Sequence, residues 1–207
     1  METIYFRGWF TNVDWGTLTQ DEKMHNGMKL AQNLYNFHWT ENAIAGILGN
    51  VDAESGMNPG SCQQPRPFGD YLPDNAEILE SSYGRGMGFV QWTPGRTKLV
   101  QFAEDTGRIW YDGITQVFRL KYECDNDFEL IGGWEGYITS TGDPADLAEY
   151  FLRRYERPTP EVIEQQVAIR RSLGTMWYNR IHGKLFNNKL LWYNKKRKEL
   201  KPRWQII

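Results

Sequence analysis

The sequence predicts an α+β chain that is mainly α, with a small β or loop region set beside a helical body. Three observations predict it. Apolar residues recur at helical spacing behind recognisable capping residues. The run 56–85 is rich in Gly, Pro, Ser and Asp. The piece that follows, GMGFVQWT, is short and β-prone. At 207 residues, 40% hydrophobic and 24% charged, the chain has the length and composition of one domain able to bury a core.

Thr19-Gln-Asp-Glu22 reads as a capping box opening a helix that runs to about Phe37, with Met24, Met28, Ala31, Leu34 and Tyr35 at helical spacing. Thr40 caps a second helix, ENAIAGILGNVDAE, in which Ile44, Ile47, Leu48 and Val51 form an apolar stripe; Gly56 and Pro59 end it. The stretch from there to Arg85 reads as a loop, and a loop of that length in a compact domain is usually functional or mobile. Thr93-Pro94 supplies the cap and first turn of another helix ending near Gly107. Further helical segments cover about 113–128, 144–155 behind Asp143-Pro144, and 160–181 behind Thr159-Pro160. There is no internal repeat and no low-complexity linker. The chain divides into a body, 1–183, and a tail, 184–207.

Charge marks that boundary. Residues 184–207 carry eight basic side chains and one acid, a net +7, which leaves −9 on the first 183 residues out of a total of −2. The tail also bears Phe186, Trp192, Tyr193 and Trp204. A basic aromatic segment suits docking on a partner protein or on a polyanionic surface, and equally suits packing back onto its own acidic body. The start, METIYFRGWFTNVDWG, shows no basic leader before an apolar run, and no later segment is apolar enough to span a bilayer, so no targeting signal and no membrane span are expected.

Several chemistries are disfavoured. His25, His38 and His182 lie far apart without metal-ligand spacing, so no metal is expected and the three histidines read as surface or packing residues. Cys62 and Cys124 form no metal-type cluster and lie in no nucleophile context; two reduced cysteines are preferred over a disulfide, which stays open. No phosphate-binding glycine loop occurs, and neither a cofactor nor a nucleic-acid partner is expected. Nine Trp, several in polar surroundings, suit stacking on sugar rings or ordinary packing.

The stretch GNVDAESGMNPG places Asp52 and Glu54 at a helix C-terminus, where the dipole disfavours negative charge. Glu54 lies three residues after Val51 and so extends the apolar stripe, whereas Asp52 falls on the opposite edge. A carboxyl group at the edge of a core is partly desolvated, which favours its protonated form and suits a general acid. A solvated surface acid is the alternative at this position.

The neighbouring residues add a resemblance. Glu54-Ser55, then Asn58-Pro59, and downstream Gly88-Phe89-Val90-Gln91, resemble the lysozyme-like superfamily, in particular goose-type lysozymes and lytic transglycosylases, which share an E-S-x-x-N-P turn and a G-x-x-Q strand. The closer resemblance is to the phage tail lysozyme family, through WTENAIAGILGNVDAESGMNPG, GMGFVQWTP and FLRRYERP, which follow in order over residues 39–158.

That resemblance implies a lysozyme-like fold with a cleft between the helical body and the 56–93 region. It also implies cleavage of the β-1,4 bond between N-acetylmuramic acid and N-acetylglucosamine in peptidoglycan. Glu54 matches the catalytic acid, Gln91 the glutamine lining the sugar cleft, and Gly88 a point of close backbone approach to substrate. Tyr155 matches a cleft residue near the acid, although its spacing from Leu147, Phe151 and Leu152 fits a core tyrosine equally. Ser55 caps or supports Glu54 and stands among the substrate-binding candidates; Asn58 and Pro59 shape the turn.

The insert 61–85 departs from the shortest family pattern and holds the candidates for a second carboxylate, Asp70, Asp74, Glu77 and Glu80. The resemblance implies that one glutamate can suffice. The expected setting is a phage virion, in the tail, with the basic segment docking on tail proteins or on the wall. Three alternatives stay open. One is a lytic transglycosylase, one an endolysin held in the host cytoplasm until lysis, and one a non-catalytic wall-binding module.

Overall fold

In the computed structural model, which describes residues 3–126 and 136–186, the chain opens with a hairpin, β1 (Ile4–Phe6) and β2 (Trp9–Thr11). Helices α1 (Gln20–Tyr35), α2 (Glu41–Ser55), α3 (Asn75–Glu80), α4 (Gln101–Asp105), α5 (Gly113–Asn126), α6 (Pro144–Phe151) and α7 (Pro160–Ile181) follow. A π-helical turn, Arg96–Val100, leads into α4, and another, Leu152–Glu156, continues α6. The arrangement is α+β, mainly α, with its core built around α2. The tail expected at 184–207 lies outside the described residues from 187 on.

The second helix is more central than its stripe suggests. Ile44, Ile47, Leu48 and Val51 are fully buried, and so are Ala43, Ala45, Gly46, Gly49 and Asn50 on the remaining faces. The residues that break the amphipathic pattern are small, and their size is the reason. A Cβ on Gly46 would lie 2.9 Å from the Leu147 backbone, and one on Gly49 would lie 2.6 Å from the Gly174 nitrogen. Backbone thus packs on backbone where α6 and α7 cross α2. Buried Asn50 bridges the crossing, donating to the Gly46 and Ala148 carbonyls at 2.8 and 2.9 Å.

Local capping follows the sequence closely. The Thr19–Glu22 box forms in both directions, the Thr40 hydroxyl accepts from the Ala43 N–H, and Asp143 accepts from Ala145. Elsewhere the structure corrects the reading. Thr93 is not a cap; its hydroxyl donates to the Gln91 carbonyl at 3.0 Å, and the helix begins at Arg96. The presumed loop 56–85 contains α3, started by Asp74, whose carboxylate accepts from the Glu77 N–H at 2.9 Å.

Regular β structure lies at the N-terminus rather than in 56–93. Arg7 and Gly8, at φ +48° and +88°, make the two-residue turn between strands paired Phe6 to Trp9. Asn26 of α1 pins the hairpin by bonding both ways with Phe10, and Trp9 is fully buried against Gly113. GMGFVQWT folds as a tight turn. Met87 and Trp92 exchange backbone bonds of 3.2 and 3.0 Å, while Gly88 and Gln91 take positive φ.

Candidate active site

Glu54 stands in the last turn of α2, which Gly56 closes in the left-handed conformation, its N–H donating to the Asp52 carbonyl at 2.9 Å. Both acids at this electrostatically disfavoured end are met by donors from α7. The Trp177 indole donates to Asp52 at 3.1 Å, and the Arg170 guanidinium donates to Glu54. Arg170 is nearly inaccessible, its side chain 3% exposed, against 26% for Glu54. Its other terminal nitrogen donates to the Asn50 carbonyl at 2.7 Å, so the guanidinium is fixed to α2 at two points one turn apart.

A second carboxyl group shares that cation. Glu156, at the end of the π-helical turn after α6, lies 3.5 Å from Arg170 Nη2, with its side chain 10% exposed. Burial pushes the Glu156 carboxyl up to about 8; Arg170 opposes the shift, and the neighbouring Glu54 carboxylate adds to it.

Glu54 also stands where two lobes of a groove meet. One lobe, of about 500 Å³, is walled by Trp92, Lys98, Glu123, Tyr155 and Glu156; the other, of about 830 Å³, by Trp15, Ser61, Gln63 and Arg66. Glu54, Gln91 and Thr93 line both. Both π-helical turns contribute to the first lobe, Lys98 from one and Tyr155 with Glu156 from the other. Such widened turns recur at functional sites because they re-aim side chains. Trp15, 61% exposed, offers an aromatic surface in the second lobe.

The groove thus has one carboxylate at its waist and hydrogen-bond donors along its walls. The family profile for phage tail lysozymes matches residues 25–181, well over half of the chain. The chain belongs to the phage tail lysozyme family. Among its relatives is Morphogenesis protein 1 of Bacillus phage B103, 32% identical over 145 residues, which are 68% of this chain and 36% of that protein. The chain thus spans little more than a third of the length of this curated relative.

Within this family's fold, the residues singled out in the sequence fall in different places. Glu54, Gln91 and Tyr155 come together in the groove. Gln91 holds its backbone at φ +50° and donates to the Gly88 carbonyl at 2.8 Å. Tyr155 stacks on Phe151 with ring centroids 4.5 Å apart, and its hydroxyl donates to Glu123. Burial and the Glu123 carboxylate push the Tyr155 phenol well above its ordinary range.

Ser55 and Gly88 do not reach the groove. Ser55 is fully buried, its hydroxyl turned back onto the Val51 carbonyl at 3.0 Å. Gly88 lets the side chain of Gln116 approach rather than substrate, since a Cβ there would lie 2.6 Å from Gln116 Oε1. Asn58 shapes the turn, linking it to Asn12 and Asp14 behind the hairpin. Asp70 pairs with Arg66, Asp74 caps α3 and Glu77 accepts from Tyr71; neither these nor Glu80 line the groove. The insert instead supplies part of the second lobe through Ser61, Gln63 and Arg66. His25, His38 and His182 are exposed, and Cys62 and Cys124 are buried and unpaired with each other. Among the described residues no His, Cys, Asp and Glu group is arranged to hold a metal ion, and no helix is long and apolar enough to cross a membrane.

Four residues that position this site escape a reading of the sequence. Arg170 could have been found, because Arg170, Gly174, Trp177 and Ile181 occupy one buried stripe at helical spacing. Glu156 adjoins Tyr155 in the FLRRYERP motif. Gln116 gives no local signal, yet it ties three loops together. It accepts from the Phe89 N–H at 2.7 Å and donates to the Pro59 and Trp110 carbonyls at 2.6 and 2.8 Å. Glu123 accepts from Trp92 at 2.9 Å and from Arg119 at 2.6 Å, as well as from Tyr155, and so braces the first lobe.

Proposed function

We propose that the chain is a peptidoglycan-cleaving glycoside hydrolase that cuts the β-1,4 bond between N-acetylmuramic acid and N-acetylglucosamine, with Glu54 as general acid and base. The observation that carries this reading is the position of Glu54 at the waist of a two-lobed groove, with room for sugars on both sides of the bond to be cut. Glu54 donates its proton to the bridging oxygen, which leaves with the glucosamine ring. A water oxygen then attacks C1 of the muramoyl ring, and the Glu54 carboxylate takes the proton released. Of the other carboxyl groups on the groove wall, Glu123 is engaged by Arg119, Trp92 and Tyr155, Asp14 is paired with Arg66, and Glu156 lies deeper than Glu54, its side chain 10% exposed against 26%, which favours a single acid in contact with substrate.

Membership of a tail lysozyme family supports a place in the phage tail and a role in opening the wall at entry. The basic segment 184–207 would then serve as an arm to tail proteins or to the anionic wall.

Digestion of purified peptidoglycan by wild type and Glu54→Gln, with mass spectrometry of the soluble fragments, tests the reading. Reducing muramic-acid ends from wild type alone are expected. Full release by Glu54→Gln would sink the role of Glu54. Ends in the 1,6-anhydro form would mean that the muramoyl 6-hydroxyl, not water, attacks C1, making the chain a lytic transglycosylase. No fragments from a folded wild type would leave a wall-binding module.

A further inference from the structure

We propose that Glu156 is a positioning residue for Glu54: the two carboxyl groups hold one proton between them against Arg170, Glu156 keeps that proton in the resting cleft, and Glu54 draws on it when a glycan is bound. The proposal rests on the reading of Glu54 as the acid and base.

Charge balance supports it first. Two carboxylates face a single guanidinium in a site where Arg170 is 3% and Glu156 10% exposed. Fully ionised, the trio would carry an uncompensated buried negative charge; one proton makes it neutral. Hydrogen bonding supports it independently. Glu156 Oε1 is buried with no donor directed at it. A carboxylate oxygen so placed has lost water without replacement, whereas a protonated carboxyl becomes a donor, and the acceptor at hand is Glu54, which shares Arg170 Nη2 with it.

The resting position of the proton follows from the same geometry. Glu54 is the more exposed of the two and holds the guanidinium in direct contact; Glu156 is the deeper and sits farther from the cation, so the proton rests on Glu156. The remaining groups around Glu156 do not upset this. Tyr137, packed ahead of α6, is held neutral by burial. Glu123 of α5 is already bound by Arg119, Trp92 and Tyr155, and Lys98 and Arg157 lie along the groove wall.

A bound sugar strips water from Glu54 and so penalises its charge. The proton then passes from Glu156 to Glu54 and on to the leaving glycosidic oxygen. The proton that Glu54 later takes from the attacking water restores the pair.

The consequence is an alkaline limit on activity set by the pair rather than by an isolated glutamate. Initial rates on purified peptidoglycan across pH 4–10 are compared for the full chain, Glu156→Gln and Glu54→Gln. Gln keeps an N–H donor toward Glu54 but no titrating proton. The alkaline limb of kcat/KM is expected to move to lower pH by about two units in Glu156→Gln and to return toward wild type in Glu156→Asp.

A limb unmoved in Glu156→Gln, with the rate merely scaled, overturns the shared proton. If that holds while Glu54→Gln is inactive, the reading of Glu54 survives; full activity of Glu54→Gln overturns both. Infrared titration of wild type provides a readout that needs no variant to fold. A protonated carboxyl persisting at pH 7 is expected, and its absence overturns the proposal.

Discussion

Gly49 and Gly174 meet with no side chain between them, so closely that a Cβ on the first would lie 2.6 Å from the backbone nitrogen of the second. This crossing sets the distance between α2 and α7. Because the helices touch backbone to backbone, Arg170, one turn before Gly174, reaches the Asn50 carbonyl and the Glu54 carboxylate together. The position of a buried cation beside the candidate acid is therefore a consequence of two missing side chains.

Gly49→Ala tests that relationship. The added methyl would also meet the Arg170 carbonyl at 3.0 Å, and both obstacles are backbone, which cannot rotate away. The helices must separate, at a cost of about 1–3 kcal/mol. A fall of several degrees in Tm is expected by calorimetry, with a loss of peptidoglycan cleavage larger than at a surface Ala substitution of equal stability. An unchanged Tm would show that the crossing is looser than its contacts require.

Tyr155 admits both a groove role and a core role, and Tyr155→Phe separates them. The phenyl ring keeps the stack on Phe151, and Glu123 keeps its bonds from Trp92 and Arg119. Loss of the hydroxyl bond to the Glu123 carboxylate is worth about 1.5–3 kcal/mol of stability, the scale of a hydrogen bond to a charged group. The expected change in kcat/KM is about threefold or less, on the order of 0.7 kcal/mol. A drop of about a hundredfold with the fold intact would mean that the hydroxyl touches substrate in the transition state.

Capping by Thr19, Thr40 and Asp143 was legible because a cap is decided within three residues, and the stripe through Ile44, Ile47, Leu48 and Val51 because helical periodicity is local. Glu54 stood out through its motif, but its partner lies 116 residues away, and no local spacing encodes that pairing. The N-terminal hairpin was missed because its strands are three residues long and its turn is Arg7-Gly8 rather than Asn-Gly. The six residues of α3 are too few to show a period, leaving only Asp74 as a signal. The small residues of α2 that break the stripe, Gly46 and Gly49, are the places where other helices enter.

Stability should carry the mark of Glu156 as pH changes. Its carboxyl, pushed up to about 8 in the folded chain, returns to its ordinary value of 4.5 when the chain unfolds. Between those values the folded state binds one proton more than the unfolded state, so the free energy of unfolding falls as pH rises, by up to about 1.4 kcal/mol per pH unit for a single group. Below 4.5 both states are protonated and above 8 both are ionised, so the dependence flattens at each end. Denaturant unfolding at pH 5, 6.5 and 8 is expected to show wild type losing stability across the series. Glu156→Gln should lose less, matching or exceeding wild type at pH 8, because an amide has no proton to shed. Parallel slopes in the two proteins would place the titrating group elsewhere in the molecule.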